Sequence, residues 1–148
     1  MIETIRDARS VYLDTSPFIY FIEANPRFSA LVRPVLQSIA SGEKEGVSSY
    51  VTLLELLVKP LREDRADLAQ RYRDALVGQR HFRLVGVGRS VAEEAARIRA
   101  THGFRVPDAI QLATASLEHA DVFLTNDGAL RSFPDLAVVV LQDHVGRA

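Results

Sequence analysis

Residues 10–20 read SVYLDTSPFIY, a short β-prone run that breaks into a helix start. Val11, Tyr12 and Leu13 favour a strand. The run stops at Asp14-Thr15-Ser16-Pro17, where Ser16 is the expected cap and Pro17 the expected first helical residue. A helix through FIYFIEA follows and should end before Asn25-Pro26. A strand passing directly into a helix is the repeating unit of an α/β domain, and the rest of the chain repeats it.

The stretch FSALVRPVLQSIAS reads as a helix running to Gly42, with Pro34 as a point of bending. After the polar turn GEKEG, Val47 to Ser49 is a brief strand that enters VTLLELLV as a helix, closed or kinked by Pro60. Glu63 to Gln79 is helical, with Leu68, Tyr72 and Leu76 on one face. FRLVGV (82–87) is the third strand, and Ser90 to Glu93 form a capping box opening a helix that ends at Gly103. Pro107 opens PDAIQLATASLEHA, DVFLT (121–125) is the fourth strand, and LAVVVL (136–141) is the fifth. The alternation predicts an α/β fold with a mostly parallel sheet of about five strands covered by helices on both faces. In such sheets ligands bind beyond the carboxyl ends of the strands.

Bulk properties narrow the classes. The 148 residues suit one domain, and 47% of them are apolar, enough for a core without staples. Absence of Cys excludes disulfides, thiolate zinc sites and Cys nucleophiles. The first ten residues lack the apolar core of a signal peptide, and no apolar run is long enough to span a membrane, so the expected location is cytoplasmic. The net charge of −1 neither favours nor disfavours nucleic acid. Only Lys44 and Lys59 are lysines; the other cations are Arg, suited to bidentate phosphate contacts but equally a product of base composition.

Four carboxylates fall at the ligand-binding edge of this sheet. Asp14 ends the first strand and Asp127 lies just past the fourth; Glu55 is on the helix leaving the second, and Asp108 is in the first turn after Pro107. Each alone has a plain explanation. Asp14 and Asp127 suit turns or caps, and Asp108 complements a helix dipole. Glu55 shares a helical stripe with Thr52, Lys59 and Arg62, and pairs favourably with Lys59 at i,i+4. Their joint placement is harder to assign to chance. Clustered carboxylates repel one another unless a cation neutralises them, and oxygen donors favour Mg²⁺ or Mn²⁺. The four His residues have no zinc-like spacing; carboxylate-held Mg²⁺ suits phosphoryl chemistry, and with no GxSxG or Gly-rich phosphate loop, hydrolysis by activated water is the economical mechanism.

YLDTSPFIY, the Glu in VTLLELLV, VPDAIQLATA and FLTND, in that order, resemble the PIN-domain ribonucleases, and among them the VapC-type toxins of toxin–antitoxin pairs. The similarity runs from about Val11 to Leu141. It implies a Rossmann-like PIN fold for the whole chain as a single domain; residues 1–10 depart from the family's usual start at the first strand and are expected to form an N-terminal extension, such as an extra turn. It also implies Mg²⁺- or Mn²⁺-dependent endoribonuclease activity, a cognate antitoxin protein, RNA as substrate and a homodimer. Asp14, Glu55, Asp108 and Asp127 match the family's acidic positions. Asp14 and Asp108 are expected to hold the metal with Asp127 contributing, while Glu55 orients or deprotonates the attacking water or supports a second metal. Ser16, Thr125 and Asn126 match positions that line or adjoin the site. Arg105 and Arg62 could meet RNA phosphate but are more simply solvated, and Glu118, roughly 15 Å along the helix from Asp108, is too far to share its metal. The stripe Leu61, Leu68, Tyr72 and Leu76 is available for dimerisation, though such a stripe is more often core. A housekeeping PIN nuclease and a non-cleaving RNA- or protein-binding PIN module are the alternatives. A haloacid-dehalogenase phosphatase would need Asp where Ser16 stands, and a receiver domain would need a late Lys that this chain lacks.

Overall fold

The computed structural model describes residues 1–146. In chain order the elements are α1 (Glu3–Arg6), β1 (Ser10–Leu13), α2 (Thr15–Ile22), α3 (Ser29–Ala40), β2 (Glu45–Ser49), α4 (Tyr50–Arg62), α5 (Ala66–Leu76), β3 (Phe82–Val85), α6 (Arg89–His102), α7 (Val106–Leu117), β4 (Val122–Thr125) and β5 (Val138–Val140). Turns of 3₁₀ helix follow β4 (Gly128–Ser132) and β5 (Leu141–His144).

All five strands are parallel, in the order β3-β2-β1-β4-β5. The chain builds outward from β1 to β3 on one side, then returns to pair β4 against the free side of β1. That reversal puts the topological switch point between β1 and β4. Side chains alternate across the sheet. Val11, Leu13, Val122 and Leu124 pack into a cluster with residues of α1 to α5, whereas Tyr12, Val47 and Phe123 face a second cluster formed with α6 and α7. Tyr12 and Phe123 stack across the β1–β4 seam, with ring centroids 5.0 Å apart.

Residues before β1 are packed. Ile5 is fully buried, and the buried Lys44 donates to the carbonyls of Arg6 (2.9 Å) and Ala8 (2.5 Å), pinning the end of α1 to the start of β2. The Asp121 carboxylate accepts from the amides of Arg9 and Ser10, which secures the entry to β1.

Several local expectations are corrected. Asp14, not Ser16, caps α2: its side chain accepts from the Ser16 amide, and Pro17 sits in the third helical position. The capping box at Ser90 does not form. Gly88 precedes α6, Ser90 falls inside its first turn, and Glu93 pairs with Arg89 at 3.4 Å instead. Pro34 and Pro60 both lie inside unbroken helices. Each removes one backbone bond, but Val32, Val35 and Ile39 hold α3 in the core, and the Pro60 ring is itself buried beside Leu56. Leu68, Tyr72 and Leu76 are core residues rather than an association surface; of that stripe only Leu61 is exposed.

Gly46 in β2 marks a close approach. A Cβ there would stand 2.7 Å from the Phe82 ring and 2.9 Å from Ile39 Cδ1. Gly46→Ala should therefore destabilise the domain by about 1–3 kcal/mol through overpacking, read as a lower urea midpoint with unchanged slope.

Candidate functional site

The strand ends place polar side chains at one edge of the sheet. The Asp14 amide bonds the Leu124 carbonyl (3.2 Å), which extends the β1–β4 ladder by one residue. The Asp14 carboxylate then accepts from Thr125 Oγ1 at 2.5 Å, and from Ser16 Oγ at 3.2 Å and the Ser16 amide at 3.3 Å. Thr125 Oγ1 in turn accepts from the Asp127 amide (2.9 Å), and Ser16 Oγ from the Asn126 amide (3.1 Å). The segment after β4 is thus tied to the start of α2 through the Asp14 carboxylate. Asp127 carries the corner onward, capping the 3₁₀ turn by accepting from the Ala129 amide at 3.0 Å.

Glu55 approaches from α4, which Ser49 caps. Its Oε1 accepts from Thr15 Oγ1 (2.8 Å) and from Gln111 Nε2 (3.2 Å). Lys59 is not among its partners, and Thr52, expected on a solvated stripe with it, is fully buried. Asp108, in the first turn of α7, accepts from Arg105 Nε at 3.2 Å. The four carboxylates line one open cavity of about 420 Å³, together with Ser16, Thr125 and Asn126. Lys59 and Arg62 are exposed and do not line it. Glu118 pairs with Arg83 at 3.0 Å, away from the cavity.

Each carboxylate therefore keeps a plain structural partner and still faces the same space. Among the described residues, no three acidic or imidazole side chains already stand close enough together to enclose a cation. The donor chemistry nevertheless fits a hard divalent ion: every acidic lining group is a carboxylate, and no His or Cys lines the cavity.

Sequence reasoning missed five lining residues: Thr15, Ile19, Tyr20, Gln111 and Gly128. The Tyr20 hydroxyl accepts from Asn126 Nδ2 (2.8 Å), and the Asn126 carbonyl accepts from the Gln142 amide (2.8 Å), so Asn126 braces the corner as well as lining it. Gln111 carried one available signal, its i+3 spacing from Asp108 on α7.

The family model for the PIN domain matches residues 11–136. The chain belongs to the PIN-domain family. No curated protein sequence matches it. Solved structures share the fold. A toxin–antitoxin complex from Klebsiella pneumoniae superposes with TM-score 0.66 at 23% identity, covering 88% of this chain and 97% of that one. VapBC2 from Rickettsia felis, bound to a promoter DNA fragment, gives TM-score 0.70 at 17% identity over 88% and 98% of the two chains. VapC20 of Mycobacterium tuberculosis, a sarcin–ricin-loop-cleaving toxin, gives 0.66 at 17% identity over 86% and 98%.

Within this PIN domain, burial pushes the Asp14 carboxyl up to about 7; the Thr125 and Ser16 hydrogen bonds work against that rise, and the Glu55 charge adds to it. The unfolded chain releases this proton near pH 3.8, so between that value and about 7 the folded state binds more protons. The contribution to stability is full at acid pH and declines as pH rises through 7. Without divalent cations, Asp14→Asn, which preserves the cap, should raise Tm at pH 8 by roughly 3–8 °C and leave it little changed at pH 4. Scanning calorimetry at both pH values with a chelator present checks this.

Proposed function

We propose that this PIN domain is a metal-dependent endoribonuclease acting as the toxin of a toxin–antitoxin pair in the cytoplasm. The observation that carries the reading is the convergence of Asp14, Glu55, Asp108 and Asp127 on one open cavity at the carboxyl edge of a parallel sheet. Asp14, Asp108 and Asp127 are the residues that would hold Mg²⁺ or Mn²⁺. When bound, that ion supplies charge neutralisation for phosphate and a lowered pKa for water. Glu55 serves as the base or orienting group for the attacking water, since its Oε1 is anchored by Thr15 and Gln111 while Oε2 has no protein partner among the described residues. Were Asp108 to turn from Arg105 to the ion, the Arg105 guanidinium, 78% exposed, would be free for RNA phosphate.

The toxin assignment is supported by the fold shared with toxin–antitoxin PIN domains from several bacteria. By the same analogy the cognate antitoxin places a cationic side chain or helix over the acidic crevice, and the domain works as a homodimer. No helix among the described residues is long and apolar enough to cross a membrane.

Expression of the wild-type chain should arrest growth and create new RNA ends, mapped by sequencing of total RNA. Asp108→Asn should lower cleavage by about 10²-fold or more, and a chelator should abolish it in vitro. Identical RNA ends from wild type and Asp108→Asn would refute the nuclease reading.

A further inference from the structure

Gln111 sits mid-way along α7 and is 3% exposed, among Ala109, Leu112, Ala113 and Ala115, which are fully buried. An apolar side chain would fill such a position without any hydrogen-bonding demand. The amide instead has both its oxygen and its nitrogen in hydrogen bonds to named side chains. Its Oε1 accepts from the Tyr12 hydroxyl and from Thr52 Oγ1 (3.0 Å), and both donors are fully buried. Ser48 Oγ, also fully buried, has the Leu13 carbonyl at 2.6 Å and Thr52 Oγ1 at 2.8 Å as acceptors for its one proton.

A carbonyl oxygen has two lone pairs, and these two hydroxyls occupy both. Turning the amide over would take the acceptor from the buried Tyr12 hydroxyl and present oxygen to the Glu55 carboxylate, which only accepts. Its NH₂ group is therefore locked toward Glu55 Oε1 at 3.2 Å. The chain of contacts runs from the centre of the sheet (Tyr12 on β1, Ser48 on β2) through α4 and α7 to the Glu55 carboxylate.

We propose that Gln111 is a positioning residue for the ribonuclease reaction, holding Glu55 Oε1 from the buried side so that Oε2 is presented to the attacking water. This rests on the ribonuclease reading above. Without the amide, only the Thr15 hydroxyl would restrain a side chain on the exposed face of α4. The carboxylate would then sample other rotamers, and the loss falls on the chemical step rather than on RNA binding.

The test is single-turnover cleavage of an RNA substrate with Mn²⁺, using Gln111→Met as a near-isosteric replacement. The expected result is a fall in the cleavage rate constant of about 10- to 100-fold, with the concentration for half-maximal rate within about twofold of wild type. The fall should vanish when Glu55 is already Ala, and persist in full when Asp127 is Ala, because Gln111 acts through Glu55 alone. Thr52→Val, which removes one of the two anchors of the amide, should show the same pattern with a smaller fall of about 3- to 10-fold. It decides the question if Gln111→Met does not fold. A rate equal to wild type, or a fall that is the same in the Glu55→Ala and Asp127→Ala backgrounds, overturns the positioning role while leaving the nuclease intact. Absence of cleavage by the wild-type chain itself overturns the nuclease reading, and the positioning role with it.

Discussion

The hydrogen bond from Thr125 Oγ1 to Asp14 lies at the seam where the two halves of the sheet meet. β1 is the central strand, with β2 on one side and β4 on the other, and β4 arrives only after a long excursion through β2, β3 and six helices, α2 to α7. Asp14 closes that seam three ways: its amide extends the ladder, its carboxylate caps α2, and the same carboxylate receives the Thr125 hydroxyl. Everything else at the edge is hung from this junction. The Asp127 amide bonds Thr125, the Asn126 amide bonds Ser16, and Thr15, beside Asp14, reaches Glu55. A carboxylate at this point is thus a structural joint as well as a candidate ligand.

That double use resolves a tension in the chemistry. Four carboxylates facing one cavity repel one another, and burial penalises the ionised form of Asp14. Each is met by a protein donor: hydroxyls and an amide at Asp14, a hydroxyl and an amide side chain at Glu55, a guanidinium at Asp108, a backbone amide at Asp127. These contacts give each carboxylate a protein donor. Binding a cation then becomes an exchange, in which protein donors give way to a stronger common partner. The strain left at Asp14, whose proton is held up to about 7, is what a divalent ion would relieve.

Much of the fold was legible because strand-to-helix alternation is a local signal. All five strands stand within a few residues of where the β-prone runs put them, and Gly103 ends α6 in a left-handed conformation as its position implied. The order of the strands was not legible, since pairing is a tertiary choice between equally apolar segments. Local errors have local causes. Asp14 competed with Ser16 for the same cap, and Arg89 drew Glu93 away from a capping box. Thr52 looked solvated because its helical stripe also holds Glu55 and Lys59, yet its small hydroxyl turns inward to Gln111. Gln111 offered only its i+3 spacing from Asp108 in PDAIQLATA, where a glutamine between apolar residues is an ordinary helix former; its burial and its partners reveal its place.

The central claim is that Asp14, Asp108 and Asp127 act together as one hard-cation site. The most direct measurement is anomalous diffraction from crystals of the wild-type chain soaked in Mn²⁺ at an X-ray energy near the manganese edge. The account predicts one anomalous peak inside the acidic cavity with oxygens of these aspartates at about 2.0–2.3 Å, and Asp108 released from Arg105. A cavity without a peak at saturating Mn²⁺, with Asp108 still paired to Arg105, would contradict it.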